Sequence, residues 1–186
     1  MRRVLDEARL DFELVSLSDV PTFDEAPETG ATFEENALAK ARDAFTASGL
    51  PSVADDSGLE VDALNGMPGV LSARWAGFHG NSAEKDRANN SLLLAQLRDV
   101  PDARRGAAFV SASALVSSAG EVVVRGRWPG RIAYELLGDN GFGYDPLFIP
   151  DGLDRSAAQL TPSEKDSVSH RGRALAQLLP ALRALD

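Results

Sequence analysis

Asp55, Asp56, Glu60 and Asp62 place four carboxylates within eight residues, with Ser57 and Gly58 among them. Such a density is unfavourable by self-repulsion unless a cation or water screens it. A hard metal such as Mg²⁺ takes oxygen ligands and would neutralise the group. Val53-Ala54 reads as a short apolar strand that ends at this polar stretch. In an open α/β sheet, ligands gather outside the carboxyl ends of strands. An acidic surface turn, with Ser57-Gly58 as its turn residues, accounts for the same residues.

Three further segments combine polar density with turn chemistry. One runs from Glu28-Thr29-Gly30 to Lys40. Another is Gly141-Phe142-Gly143-Tyr144-Asp145-Pro146. Glycines on either side leave Phe142 without bulky neighbours, so its ring could stack on a nucleobase or anchor a core. Asp145 could accept from a ring N–H or serve as a turn carboxylate, and Pro146 holds it extended. The last segment joins Ser163-Glu164-Lys165 to Ser169-His170-Arg171. Ser169, His170 and Arg171 precede an apolar helical stripe. They would put donors at a positive helix start, suited to an oxygen-rich ligand or simply to capping. Lys40 and Lys165 are candidate phosphate partners, or solvated helix lysines.

The elements that must position these groups follow from periodicity. Val4, Leu5 and Ala8 fit the last turns of a helix, and Phe12 and Leu14 alternate as in a short strand. Residues 16–30 read as loop, with Pro21, Pro27 and four acids. Thr32-Phe33-Glu34-Glu35 is a capping-box pattern. Phe33, Ala37, Leu38, Ala41, Ala44 and Phe45 continue it as a helix that Gly49 and Pro51 end. Asn65 to Gly69 is turn-rich. Asn81 or Ser82 caps a helix reaching about Arg98, with Leu93 and Leu97 inward. Ala107 to Val116 reads as a strand, turned by Ser118-Ala119-Gly120 into a second strand over Glu121 to Trp128. Leu147-Phe148-Ile149 is a short buried strand. Thr161-Pro162-Ser163-Glu164 starts another helix. Ala174, Leu175, Leu178, Leu179 and Leu182 give the final helix its apolar face, which Pro180 should kink or fray.

Composition narrows the class. A chain of 186 residues with 44% hydrophobic and 25% charged residues suits one globular domain, 1–186. A net charge of −9 argues against a broad surface for duplex nucleic acid. The absence of cysteine excludes disulfides and thiolate metal sites. No apolar run reaches the length of a membrane span, and Met1 to Glu7 lack a signal peptide's apolar core, so a cytoplasmic location is expected.

Five segments, in order, resemble the inosine triphosphate pyrophosphatase family. They are Thr32-Phe33-Glu34-Glu35-Asn36-Ala37, Ala54-Asp55-Asp56-Ser57-Gly58-Leu59, Pro68-Gly69-Val70-Leu71-Ser72-Ala73-Arg74, Gly141-Phe142-Gly143-Tyr144-Asp145-Pro146 and Ser169-His170-Arg171-Gly172. The resemblance implies an α/β fold with a mixed twisted sheet flanked by helices, two lobes with a cleft between them, and a homodimer. It implies Mg²⁺-dependent hydrolysis of dITP, ITP and XTP to the monophosphate and pyrophosphate. By position, Asp56 would be the general base and a metal ligand, with Glu28 helping to hold the metal or the water. Lys40 and Ser57 would contact phosphates. Phe142, Gly143, Tyr144, Asp145, Lys165, His170 and Arg171 would hold the base. Arg74 falls where the family has a basic residue near the ligand.

The family's opening strand and its Thr/Ser-Gly-Asn-x-x-Lys phosphate loop are absent from this sequence. That leaves a second expectation, a catalytically weak nucleotide-binding protein. A general phosphatase built on the acidic cluster is a third, but it leaves the Phe142 loop and His170-Arg171 without a role.

Overall fold

Helix α1 (Phe33–Ser48) starts where Thr32 Oγ1 accepts the Glu35 N–H at 3.1 Å, and it ends at Gly49 in the left-handed region. Helix α2 (Ser82–Gln96) carries a full capping box between Asn81 and Glu84, and helix α3 (Pro162–Val168) one between Thr161 and Glu164. Each box satisfies amide donors that the first helical turn cannot. Helix α4 (His170–Arg183) contains Pro180 and remains helical past it, burying Leu182. The computed structural model describes residues 4–5, 8–20, 23, 27–77 and 80–185. Pro21, Asp24 and Glu25 of the expected loop, and Met1 to Arg3 at the start, lie outside them.

Strands β1 (Ser52–Val61), β2 (Gly106–Ser117), β3 (Gly120–Ile132) and β4 (Phe148–Pro150) form a four-stranded sheet in the order β1-β2-β3-β4. Ser118 and Ala119 make the tight turn between β2 and β3, as the glycine signal predicts. β4 pairs antiparallel with β3, with Arg131 opposite Ile149. With its helices the chain is α/β, as expected.

Two sequence expectations are corrected. Phe12 and Leu14, read as a short strand, lie in irregular backbone over residues 10–16. Leu10, Phe12 and Leu14 pack part-buried against an apolar cluster instead. Their alternation reports one covered face; a strand also needs a ladder partner, and this segment is not among the sheet's strands. The acidic stretch is not a turn after a strand. β1 runs straight through Asp55, Asp56, Ser57 and Gly58. Strand alternation then places Asp55 outward and Asp56 inward.

The chain divides into two compact units, one of residues 1–56, 111–126 and 170–186, the other of residues 57–110 and 127–169. The first packs Leu5, Leu115, Leu178 and Leu182 together. Arg42 ties α1 to β3 through a two-pronged pair with Glu121, both contacts 2.7 Å. In the second, Phe109, Trp128 and Phe148 form an aromatic cluster, with Phe109 and Phe148 edge to face at 4.6 Å. Tyr144 joins that core, and its hydroxyl donates to the Ser72 carbonyl at 2.9 Å.

Arg105 is 1% exposed in the second unit. Its guanidinium donates to the carbonyls of Ile132, Leu97 and Ala133 at 2.7–2.8 Å and lies over the Tyr134 ring. Burial lowers its pKa, opposed by Tyr134 and Asp102. Carbonyl oxygens in place of a carboxylate leave the cation hydrogen-bonded on its donor edges.

Arg105→Met takes the guanidinium away from the Ile132, Ala133 and Leu97 carbonyls, of which Leu97 keeps the Val100 N–H at 3.0 Å. Urea unfolding should show a loss of about 2–5 kcal/mol. Burial and then the Asp86 charge raise the pKa of Tyr144 above its ordinary value. The folded state thus holds this proton more tightly than the unfolded state. The linked stability is complete below about pH 10 and is lost as pH rises beyond it. Urea unfolding from pH 8 to 11 should show that decline in the parent and a shallower one in Tyr144→Phe.

Candidate active site

Asp56 is 8% exposed on β1, and both carboxylate oxygens are engaged. Lys40 Nζ donates to Oδ1 at 3.0 Å, and Asn36 Nδ2 donates to Oδ2 at 3.0 Å. Both donors come from one face of α1, one turn apart. Lys40 also meets Glu28 Oε1 at 2.5 Å and the Asp55 carbonyl at 3.3 Å. Burial lowers the Lys40 pKa, but hydrogen bonds and charges of Glu28 and Asp56 outweigh it, and the net shift is upward. One positive charge therefore sits between two carboxylates.

Asn36 was missed by sequence reasoning. It is 2% exposed, and its Oδ1 accepts the Gly30 N–H at 2.8 Å while its amide holds Asp56. An amide at the buried phase of the Phe33, Ala37, Ala41 stripe was the available signal. The same contact fixes Gly30, two residues from Glu28. Thus α1 orders both the base candidate and the loop that carries Glu28.

His170 and Arg171 belong to the same unit. His170 is buried at the first position of α4, against β3. A β-carbon on Gly126 would collide with the His170 carbonyl and lie 2.5 Å from the Ala174 nitrogen, so only glycine lets this helix start approach so closely. Arg171 Nε donates to Asp55 Oδ2 at 3.0 Å. Outward Asp55 thereby orients Arg171, and inward Asp56 faces Lys40 and Asn36.

The second unit holds the other candidates. Phe142 is 61% exposed, which removes the core-anchor alternative. Tyr144 and Asp145 are buried beneath it. Asp145 Oδ2 accepts the Phe142 N–H at 2.9 Å and pairs with Lys165 Nζ. Lys165 Nζ also lies 5.2 Å from the Phe142 ring centroid. Asp145 thus serves as a turn carboxylate that staples its own loop, and Tyr144 as the loop's anchor in the core. Gly141 has φ +78°, and a β-carbon there would strike Asp145 Oδ2. Two α2 residues, also missed from sequence, grip Gly143: Asp86 Oδ2 accepts its N–H at 2.7 Å, and Asn90 Nδ2 donates to its carbonyl at 2.9 Å. Ser57 is half-buried on β1, and Arg74 is exposed at the end of the 3-10 turn Gly69–Arg74.

Glu28 and Asp56 fit a hard divalent cation as a two-carboxylate site, since Mg²⁺ commonly takes one or two carboxylates together with substrate phosphates. Lys40 stands where such a charge is called for. Among the described residues no three His, Asp or Glu side chains converge into a preformed cage. No helix among them is long and apolar enough to cross a membrane.

Known proteins share this arrangement of sequence. The dITP/XTP pyrophosphatase of Mycolicibacterium paratuberculosis is 72% identical over 187 residues, covering all of this chain and 90% of that protein. That of Mycobacterium tuberculosis strain H37Rv is 72% identical over 186 residues, covering 100% and 89%. Among solved structures, the nucleoside-triphosphatase / dITP/XTP pyrophosphatase from Mycobacterium abscessus is 65% identical with a TM-score of 0.79, covering 97% of this chain and 91% of that one. The Staphylococcus aureus Ham1 protein is 38% identical with a TM-score of 0.85, covering 100% and 96%. The family profile described as Ham1 family matches residues 1–181. With a match of that extent and relatives of that identity over its whole length, the chain belongs to the Ham1 family.

Proposed function

We propose that this chain hydrolyses non-standard purine nucleoside triphosphates, dITP, ITP and XTP, to the monophosphate and pyrophosphate. The observation that carries the reading is the nearly buried Asp56 carboxylate, held at both oxygens and sharing one cation with Glu28. A carboxylate with fixed orientation and limited solvent is suited to take a proton from an attacking water. The relatives named as dITP/XTP pyrophosphatases support the same chemistry.

In this reading Glu28 and Asp56 would hold Mg²⁺, which would supply positive charge and lower the pKa of a bound water. Lys40 and Ser57 turn to the phosphates, and Arg74 adds charge near them. Asn36 keeps Asp56 in place as its other partner changes. Phe142 offers its exposed face to the purine ring. Asp145 and Tyr144 hold the loop behind it, and Lys165 covers its edge. His170 and Arg171 donate to the 6-oxo group of hypoxanthine or xanthine. Adenine carries an amino group there, so donors would face donors and lose their partners. A homodimer belongs to the same reading, and sedimentation in solution tests it.

The test is turnover of ITP, dITP, XTP and ATP with Mg²⁺ and with a chelator. The 6-oxo substrates should be favoured, and the chelator should stop the reaction. Asp56→Asn keeps shape and removes the base, and should lower kcat by at least ~10²-fold. His170→Ala with Arg171→Ala should erode the ITP preference, since each hydrogen bond to the 6-oxo group is worth roughly 1–3 kcal/mol. Nucleotide binding without turnover would instead leave a catalytically weak binding protein. An Asp56→Asn enzyme within a few-fold of the parent would remove Asp56 from the mechanism.

A further inference from the structure

Glycine is free to adopt many backbone states, so a loop with two of them has no preferred shape of its own. Gly141 and Gly143 have φ of +78° and +61°, in the region other residues avoid. Phe142 lies between them, with its ring 61% exposed and Lys165 Nζ 5.2 Å from its centroid. The direction of that ring depends on what fixes the backbone on either side.

Three backbone groups are fixed, each by a side chain. Asp145, inside the loop, takes the Phe142 N–H. The next N–H and the carbonyl of the same residue, Gly143, are taken from outside by Asp86 and Asn90. Asp86 and Asn90 are four residues apart on α2, so they lie on one face, one turn apart. Leu93 continues that face into the core, which anchors the helix beneath the loop. Between them Asn89 is aimed at a second element. Its Nδ2 donates to the Ser72 carbonyl at 3.2 Å, the acceptor that also receives the Tyr144 hydroxyl, and its Oδ1 accepts the Ala76 N–H at 2.8 Å. One helix face thus braces the Phe142 loop and the segment that carries Arg74.

We infer that Asp86 and Asn90 are positioning residues for nucleobase recognition, locking the Gly143 peptide so that Phe142 is presented ready to stack. This rests on the reading that Phe142 receives the base. Removing either hydrogen bond lets the loop sample other glycine conformations, and binding must then reorder it. The loss falls on KM for the nucleotide, because both residues act on the Gly143 peptide and through it on Phe142.

The test compares kcat and KM for ITP in Asp86→Ala, Asp86→Asn, Asn90→Ala, Phe142→Ala and the double variant Asp86→Ala/Phe142→Ala, with a thermal melt of each. Asp86→Ala and Asn90→Ala should raise KM about 10-fold with kcat within about 3-fold, the effect of removing roughly one hydrogen bond. Asp86→Asn retains an acceptor for the Gly143 N–H and should restore most of the parent KM. The double variant should be no worse than Phe142→Ala alone, because the clamp acts through that ring. Asp86 is only half-buried, so its variants should melt near the parent, which keeps the comparison valid if Asn90→Ala is unstable. An unchanged KM in Asp86→Ala while Phe142→Ala raises it would overturn the clamp alone, as would additive losses in the double variant. An unchanged KM in Phe142→Ala would overturn the stacking reading, and the clamp's role with it.

Discussion

A carboxylate that is nearly out of water must be compensated, and the manner of compensation at Asp56 organises the first unit. A charge there without partners would be protonated or would open the structure. Lys40 answers one oxygen with charge, and Asn36 answers the other with a neutral donor. Both stand on α1, so the capped start of that helix at Thr32 sets where the acid's partners are. Asn36 passes the constraint on to Gly30 and the segment with Glu28. The alternation of β1 does the rest, turning Asp55 outward to Arg171 while Asp56 points in.

The second unit solves the opposite problem. Its Phe142 ring is exposed, with Lys165 Nζ over it. The backbone that carries the ring is held by side chains as well. The loop gains close approach and left-handed geometry from its glycines and loses their freedom to side-chain hydrogen bonds from Asp145, Asp86 and Asn90. Tyr144 and Asp145 are buried and carry the loop, Tyr144 through the Ser72 carbonyl and Asp145 through the Phe142 N–H and Lys165.

What could be read from sequence divides along the same line. The caps at Thr32, Asn81 and Thr161 and the β2–β3 turn are local, involving residues within a few positions, and they stand as expected. Phe12 and Leu14 misled because alternation records burial and not pairing. The acidic stretch misled because Ser57-Gly58 reads as a turn, although β1 runs through it and pleating separates neighbouring side chains onto opposite faces. Asn36, Asp86 and Asn90 escaped notice because each acts across 20 to 57 residues of sequence. A polar residue within a helical stripe signals that something must satisfy it, but not which partner does.

The central claim is that the chain cleaves between the α and β phosphates of a 6-oxopurine nucleotide. The most direct check is ³¹P NMR of ITP and Mg²⁺ incubated with the protein, with the nucleotide product identified in the same sample. The account predicts that the triphosphate resonances give way to pyrophosphate and inosine monophosphate, in equal amounts and with no orthophosphate. Orthophosphate with inosine diphosphate would contradict it, because the bond broken would then be the terminal one.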